Sequence, residues 1–252
     1  MRLIYPSAGT ARILSRDISD IGMPARIGYL PENPYFYEYL TAREFLDYCG
    51  ELFGQDRHTR ARRTEELLTR VNLEKNSWNR QLRKFSKGML QRVGLAQALV
   101  NDPEIVFLDE PMSGLDPAGR REVRDLIAAL RTQGKTVFMC SHILSDIEVL
   151  CDSVAIVKHG RLAHAGSLEE LRTRETSAVE VIATGADAES LKQHLGGATP
   201  VTITAGGLRI EVGDEKNVDA VLAALRQANG KLVSVQPVKQ SLEELFLDDS
   251  GQ

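Results

Sequence analysis

Hydrophobic and polar positions change their period several times along the chain. Ile105-Val106-Phe107-Leu108 is an uninterrupted apolar run that ends on two adjacent carboxylates, Asp109 and Glu110. Such a run predicts a parallel strand covered on both faces. Ile27-Gly28-Tyr29-Leu30 predicts another strand, and residues 135–140 and 154–158 are expected to continue the sheet, with 161–165 folding back as a hairpin after His159-Gly160. Between these runs the period shifts toward 3.6. Asp116-Pro117 is a helix start, with aspartate as cap and proline at the first helical position, and Val123, Leu126, Ile127 and Leu130 form its apolar stripe.

Residues 41–100 are expected to be mostly helical. Thr41-Ala42-Arg43-Glu44 has the spacing of a capping box, and Phe45, Leu46, Cys49, Leu52 and Phe53 then recur on one face. The charged stretch 57–66 carries both signs and runs into Leu67, Leu68 and Val71, which suits a solvated helix face better than a binding patch. Ser167-Leu168-Glu169-Glu170 caps one more short helix. Beyond about residue 173 the order of patterns is strand, helix, strand, strand, helix, strand, which suits a ferredoxin-like unit. Gly206-Gly207 is read as its central turn, and Ser241-Leu242-Glu243-Glu244 as the cap of a closing helix.

Composition narrows the class. The 252 residues are 42% hydrophobic, enough for one substantial core and a small second one. Lys and Arg total 31 against 35 for Asp and Glu, a net charge of -4, so charge gives no reason to expect nucleic acid. Cys49, Cys140 and Cys151 lack metal-ligand spacing and sit in apolar patterns, which points to core packing in a reducing compartment. No apolar run approaches the roughly 20 residues needed to cross a bilayer. Membrane association is therefore expected through a partner.

The chemistry concentrates at strand ends. Asp109-Glu110 leaves the buried run where ligands bind α/β sheets, and Ser113-Gly114-Leu115-Asp116 follows at once. Upstream, Phe85-Ser86-Lys87-Gly88-Met89 opens an apolar helix; downstream, Ser141-His142 follows another strand. In this order the motifs resemble the ATP-binding cassette (ABC) family, over about residues 5 to 170. The resemblance implies a P-loop NTPase-like α/β nucleotide-binding domain over 1–172, with a helical subdomain at about 41–100, followed by a small α+β ferredoxin-like domain over 173–252. The S-L-E-E-L-F ending resembles the accessory domain of some exporter cassettes.

The same resemblance implies roles. Phe85 to Met89 stands where the family has L-S-G-G-Q, in a form like that of export-type cassettes, so Ser86, Lys87, Gly88 and Met89 would face ATP held by an opposite subunit. Asp116 closes the D-loop. Asp109 would hold Mg2+, Glu110 would orient and deprotonate the attacking water, and His142 would contact the terminal phosphate. Glu32 occupies the Q-loop position, a departure from glutamine that keeps an oxygen ligand for the metal. The expected partners are a transmembrane permease subunit and a second cassette subunit, on the cytoplasmic face of the membrane.

One motif has no match. G-x-x-x-x-G-K-[ST], whose backbone N–H groups cradle phosphates, does not precede Glu32. Gly134-Lys135-Thr136 is a decoy, because Ala129 stands where the first glycine belongs and the local order is helix, turn, strand. Leu3 to Thr10 resembles the segment that follows the phosphate-loop helix in the family. The expectation is an amino-terminally shortened cassette, and with it two functions: an ATPase subunit of an exporter, or an inactive partner that donates its signature face.

Overall fold

The computed structural model describes residues 6–173, 179–195, 199–204, 207–214 and 217–237. The chain divides into two compact units, Met1–Leu150 and Cys151–Gln252. The expected boundary at 172/173 falls inside the second.

The first unit opens with a short antiparallel pair, β1 (Arg12–Ile13) and β2 (Arg16–Asp17). Its centre is a parallel sheet of β3 (Ile27–Leu30), β4 (Ile105–Asp109) and β5 (Thr136–Cys140), in that order, with Leu30 opposite Leu108 and Asp109 opposite Cys140. Among the described residues the α-helices of this unit are α1 (Ala42–Leu52), α2 (Arg57–Arg70), α3 (Lys87–Ala98), α4 (Pro117–Thr132) and α5 (Leu144–Leu150).

Local chemistry starts three of these helices. At α1 the Thr41 hydroxyl accepts from the Glu44 N–H while the Glu44 carboxylate accepts from the Thr41 N–H, a complete capping box. Asp56 caps α2 by accepting from the His58 and Thr59 amides. Asp116 caps α4 through the Gly119 N–H, followed by proline at the first position. Leu30, Leu46, Leu67, Leu68, Leu95 and Val106 are all buried in one core with Trp78, whose indole N–H donates to the Leu73 carbonyl. β3 can lie against the end of α3 only because residue 28 is glycine: a Cβ there would sit 2.0 Å from the Ala98 carbonyl oxygen.

Several sequence expectations need correction. Two arginines of the charged stretch are not free in solvent: Arg60 and Arg63 are 16% exposed, and they bind Asp47 and the Leu99 carbonyl, tying α2 to α1 and to the end of α3. Leu52 and Phe53 are exposed, because α1 ends there and its buried face stops at Cys49 and Gly50. Among the described residues the β4–β5 pair is buried on one face and only partly covered on the other. Val106 and Leu108 are buried, but Phe138 is 53% exposed and its ring meets Phe107 at 5.5 Å, with β4 the sole strand partner of β5 among the described residues. For the same reason Cys140 lies exposed at the strand end and not in the core. The strand expected at 154–158 forms, but among the described residues it pairs antiparallel with the next strand in a two-stranded sheet, where continuation of the parallel sheet was expected.

The second unit begins with that hairpin, β6 (Ser153–Lys158) and β7 (Arg161–Ser167), and with α6 (Leu168–Thr173), capped by the Ser167 hydroxyl at the Glu170 N–H. Then come β8 (Val179–Thr184), α7 (Ala188–His194), β9 (Val201–Thr204), β10 (Gly207–Val212), α8 (Val218–Gln227) and β11 (Lys231–Pro237). The pairs among these later strands are antiparallel, in the order β11-β8-β10-β9. This is the ferredoxin-like order of elements that the sequence pattern implied. Strict alternation buries Val179, Val181 and Ala183 of β8 and Leu208, Ile210 and Val212 of β10, together with Leu191, Val221 and Leu225. Gly206 and the closing helix expected at 241–246 lie outside the described residues.

Cys49 gives the core of the first unit a pH signature. Burial desolvates its thiolate and pushes the thiol from 9.0 up to about 11. In the unfolded chain the thiol ionises near 9.0, so between there and about 11 the folded form holds the extra proton and stability falls as pH rises. At 1.36 kcal/mol per unit the loss is on the order of 2 kcal/mol. Urea unfolding of wild type and Cys49→Ala from pH 8 to 10.5 should show the steeper alkaline decline in wild type; parallel curves would contradict it.

Candidate functional site

The carboxyl ends of β3, β4 and β5 carry Glu32, Asp109-Glu110 and His142, in that order across the sheet. Glu32 is exposed two residues past β3. Asp109 is half-buried as the last residue of β4. Glu110 is the turning point: its φ is 47°, in the left-handed region that side-chain-bearing residues seldom occupy. Its N–H donates to the Cys140 carbonyl at 3.0 Å, prolonging the ladder with β5 by one bond, and its carbonyl accepts from Ser113 N–H at 3.0 Å.

That backbone twist aims the side chain across β5. Glu110 Oε1 accepts from the His142 N–H at 3.0 Å and lies 2.8 Å from His142 Nδ1. The Glu110 side chain is 19% exposed and the imidazole 78% exposed. A carboxylate offers about four lone-pair sites, so capacity for a water remains after both His142 contacts. The structure thus joins Glu110 and His142 into one unit, a carboxylate and an imidazole at the open end of the sheet.

The second group of sequence-marked residues forms at the start of α3. Ser86 is its N-cap, accepting from Met89 N–H at 3.2 Å, so the hydroxyl already serves the helix end while the other amides of the first turn remain without helical partners. Met89 is half-buried against the core. Lys87 and Gly88 pack on the 113–116 turn. Gly114 has φ 72°, and a Cβ there would lie 2.6 Å from Lys87 Cδ; one at Gly88 would lie 3.3 Å from the Gly114 carbonyl oxygen. The stem of Lys87 therefore covers Gly114, and Asp116, at the far side of that turn, caps α4.

The pattern of the sequence did not single out Gln91, Arg124 or Asp146. Gln91, 3% exposed, donates its amide to the carbonyls of Glu110 and Pro111. Asp146 on α5 is 2% exposed and accepts from Arg124 of α4 at 2.9 Å; its second oxygen has no hydrogen-bond partner among the described residues. A buried polar residue inside an otherwise apolar stripe was the available signal for Gln91.

Magnesium suits this donor set chemically, since it takes one or two carboxylates and completes its shell with waters and phosphate oxygens. Asp109 and Glu32 stand at the ends of neighbouring parallel strands. Among the described residues there is no cluster of three or more His, Cys, Asp or Glu that could hold a metal by itself.

Family models match in two places: ABC transporter over residues 1–113, and the C-terminal domain of DrrA1-3-like ATP-binding proteins over 166–249. An ABC transporter ATP-binding protein of Synechocystis, itself uncharacterized, is 45% identical over 97% of this chain and 68% of its own length. The ATP-binding subunit of an ABC transporter has a TM-score of 0.62 at 29% identity, covering 69% of this chain and 72% of that one. A dimeric ATP-binding cassette in a post-hydrolysis state with ADP and Pi has a TM-score of 0.60 at 24% identity, covering 66% and 76%, a likeness of fold. The chain belongs to the family of ABC transporter ATP-binding proteins.

The Arg124–Asp146 pair is a testable part of the frame around His142. Breaking one partner of a buried pair typically costs about 3–5 kcal/mol, because the other charge stays desolvated. Arg124 is partly exposed, which places Arg124→Ala at about 3 kcal/mol or less. Urea unfolding should show a loss well above about 1 kcal/mol, the ceiling for an ordinary surface pair, and Arg124→Lys should recover part of it.

Proposed function

We propose that this chain is the ATP-hydrolysing subunit of an exporter, acting with a second cassette and a separate membrane-spanning subunit. The observation that carries the reading is the contact of Glu110 with His142 at the end of β4, on a left-handed backbone. In it Glu110 takes a proton from the water that attacks the terminal phosphate, and His142 both steadies the carboxylate and touches that phosphate. Asp109 and Glu32 would hold Mg2+, which when bound neutralises charge on the phosphates. Ser86, Lys87, Gly88, Met89 and Asp116 face a nucleotide on the second cassette. Export is the direction implied by the resemblance of the F-S-K-G-M form and of the S-L-E-E-L-F ending to exporter cassettes.

A second reading rests on the start of α3, where Lys87 and Gly88 pack on the 113–116 turn beside the Ser86 cap. In it the chain gives its signature face to a partner's nucleotide and hydrolyses none itself. One pair of measurements separates the two. General-base removal lowers rates by roughly 10²–10⁴-fold, so Glu110→Gln should lower turnover at least about a hundredfold while Mg-ATP still binds. Turnover indifferent to Glu110→Gln would remove Glu110 as the general base, and absence of wild-type turnover would end the enzyme reading. Pairing this chain with a cassette whose own signature serine is mutated should restore some turnover, and no rescue would end the donor role.

In this reading the membrane partner's seat is on the helical segment. A cleft of about 500 Å³ lies between the 35–40 loop and α1, with Tyr35, Tyr37 and Tyr39 exposed by 86, 52 and 74%. Tyr37 meets Tyr48 edge-on at 5.5 Å. Exposed tyrosines in a cleft are a common anchor site for a partner's apolar side chains. Among the described residues no helix is long and apolar enough to cross a membrane. In flotation with membranes of the source organism, the double variant Tyr35→Asp/Tyr37→Asp should lose at least about tenfold of the bound protein, as removal of an anchor pair at an interface would; undiminished binding would move the docking surface elsewhere.

A further inference from the structure

We propose that Gln91 is a positioning residue for Glu110: its side-chain amide holds the left-handed backbone from which the carboxylate is aimed, and ties it to the helix that starts at Ser86. This rests on reading Glu110 as the general base, and adds the group that orients it. The first observation is burial. Gln91 is 3% exposed, among the few polar side chains buried in the described residues, and burying an amide is unfavourable unless its hydrogens are used. Both donor sites have partners here: Nε2 lies 3.2 Å from the Glu110 carbonyl oxygen and 3.0 Å from that of Pro111.

The second observation is where those carbonyls lie. They flank the turn that Glu110 enters at φ 47°. A residue with a side chain persists there only when its surroundings over-determine the conformation. Two of the restraints, the Glu110 N–H on Cys140 and the Ser113 N–H on Glu110, are backbone bonds that many sequences would make. Gln91 supplies the side-chain restraint, and it does so from a different element. Replacing it with an apolar residue of similar length takes a bond from each carbonyl while leaving the helix and its packing volume in place.

The position on α3 matters as well. Ser86 caps this helix and Gln91 follows about one and a half turns later. Movement of α3 relative to β4 is therefore transmitted directly to the backbone of Glu110. Gln91 touches none of the reacting atoms in this scheme; it acts through Glu110.

Amide hydrogen exchange on the 252-residue chain without nucleotide tests this independently of ATP turnover. In Gln91→Met the protection factors of the Glu110 and His142 amides should fall at least about tenfold, while those of Val106 and Leu108 stay within about twofold, as expected of a local opening. Unchanged protection at Glu110 and His142, or an equal loss at all four, would overturn the proposal. Should Gln91→Met fail to fold, Gln91→Glu decides: its carboxyl donates one hydrogen, and only when protonated, so Glu110 protection should be lost at about pH 8 and recovered in part toward about pH 5. A pH-independent protection factor would overturn the proposal. In an assembly that hydrolyses ATP, Gln91→Met should lower kcat about tenfold at unchanged KM. Absence of wild-type turnover would count against the ATPase reading alone, and the exchange measurements would still decide the role of Gln91.

Discussion

The left-handed turn at Glu110 is the constraint around which the rest of the site is arranged. A carboxylate following a regular strand would continue the alternation of β4 and point to one sheet face. With φ at 47° the chain turns out of the sheet at that residue, and the side chain reaches over the end of β5 toward His142. Holding that turn requires β5 to be in register, since the Cys140 carbonyl receives the Glu110 N–H. It also requires α3 to be packed under the turn, where Gln91 donates to it. Register, helix packing and side-chain aim are thus one problem with one solution.

Much of this was legible in the sequence, for definable reasons. Caps declare themselves because their chemistry is local: Thr41 with Glu44, and Asp116 before Pro117, need only a few residues to specify a helix start. The alternation in β8 and β10 was readable because one face of that sheet is covered by helices, which forces period two. The order of motifs brought Asp109, Glu110 and His142 to the same end of the sheet. What could not be read was long-range. An apolar run such as 105–108 looks the same whether its second face is covered or open, and Phe138 lies exposed beside it. The strand at 153–158 is apolar enough for either sheet, and pairing is a property of the partner, which propensity does not encode.

Lys87 illustrates how a site residue gains a second meaning in three dimensions. By the family resemblance it stands where L-S-G-G-Q has glycine, among the residues expected to face ATP of an opposite subunit. In the structure its methylene stem lies across Gly114, a residue that must lack a side chain both for its φ of 72° and for that contact. Long charged side chains commonly cover surface with the stem and leave the head in water. The start of α3 and the 113–116 turn are therefore fastened by an apolar contact whose outer end carries charge.

These contacts divide the site into two halves that meet inside one chain. One half is the Glu110–His142 pair at the strand ends; the other is the Ser86–Gly88 turn with Gly114 and Asp116. α3 belongs to both, capped by Ser86 and gripping the Glu110 turn through Gln91. α4 likewise begins at Asp116 and reaches α5, which follows His142, through Arg124 and Asp146. Two helices therefore each connect the Ser86–Asp116 half with the Glu110–His142 half through a polar contact and not through apolar packing alone, α3 by the buried Gln91 and α4 by the partly exposed Arg124 on the buried Asp146. Apolar packing tolerates small slips in many directions, whereas a hydrogen bond is directional and weakens steeply once its angle falls below about 120°. These two polar contacts tie the Glu110 turn to α3 and the helix after His142 to α4, which is the kind of coupling that the proposed pairing with a second cassette would need.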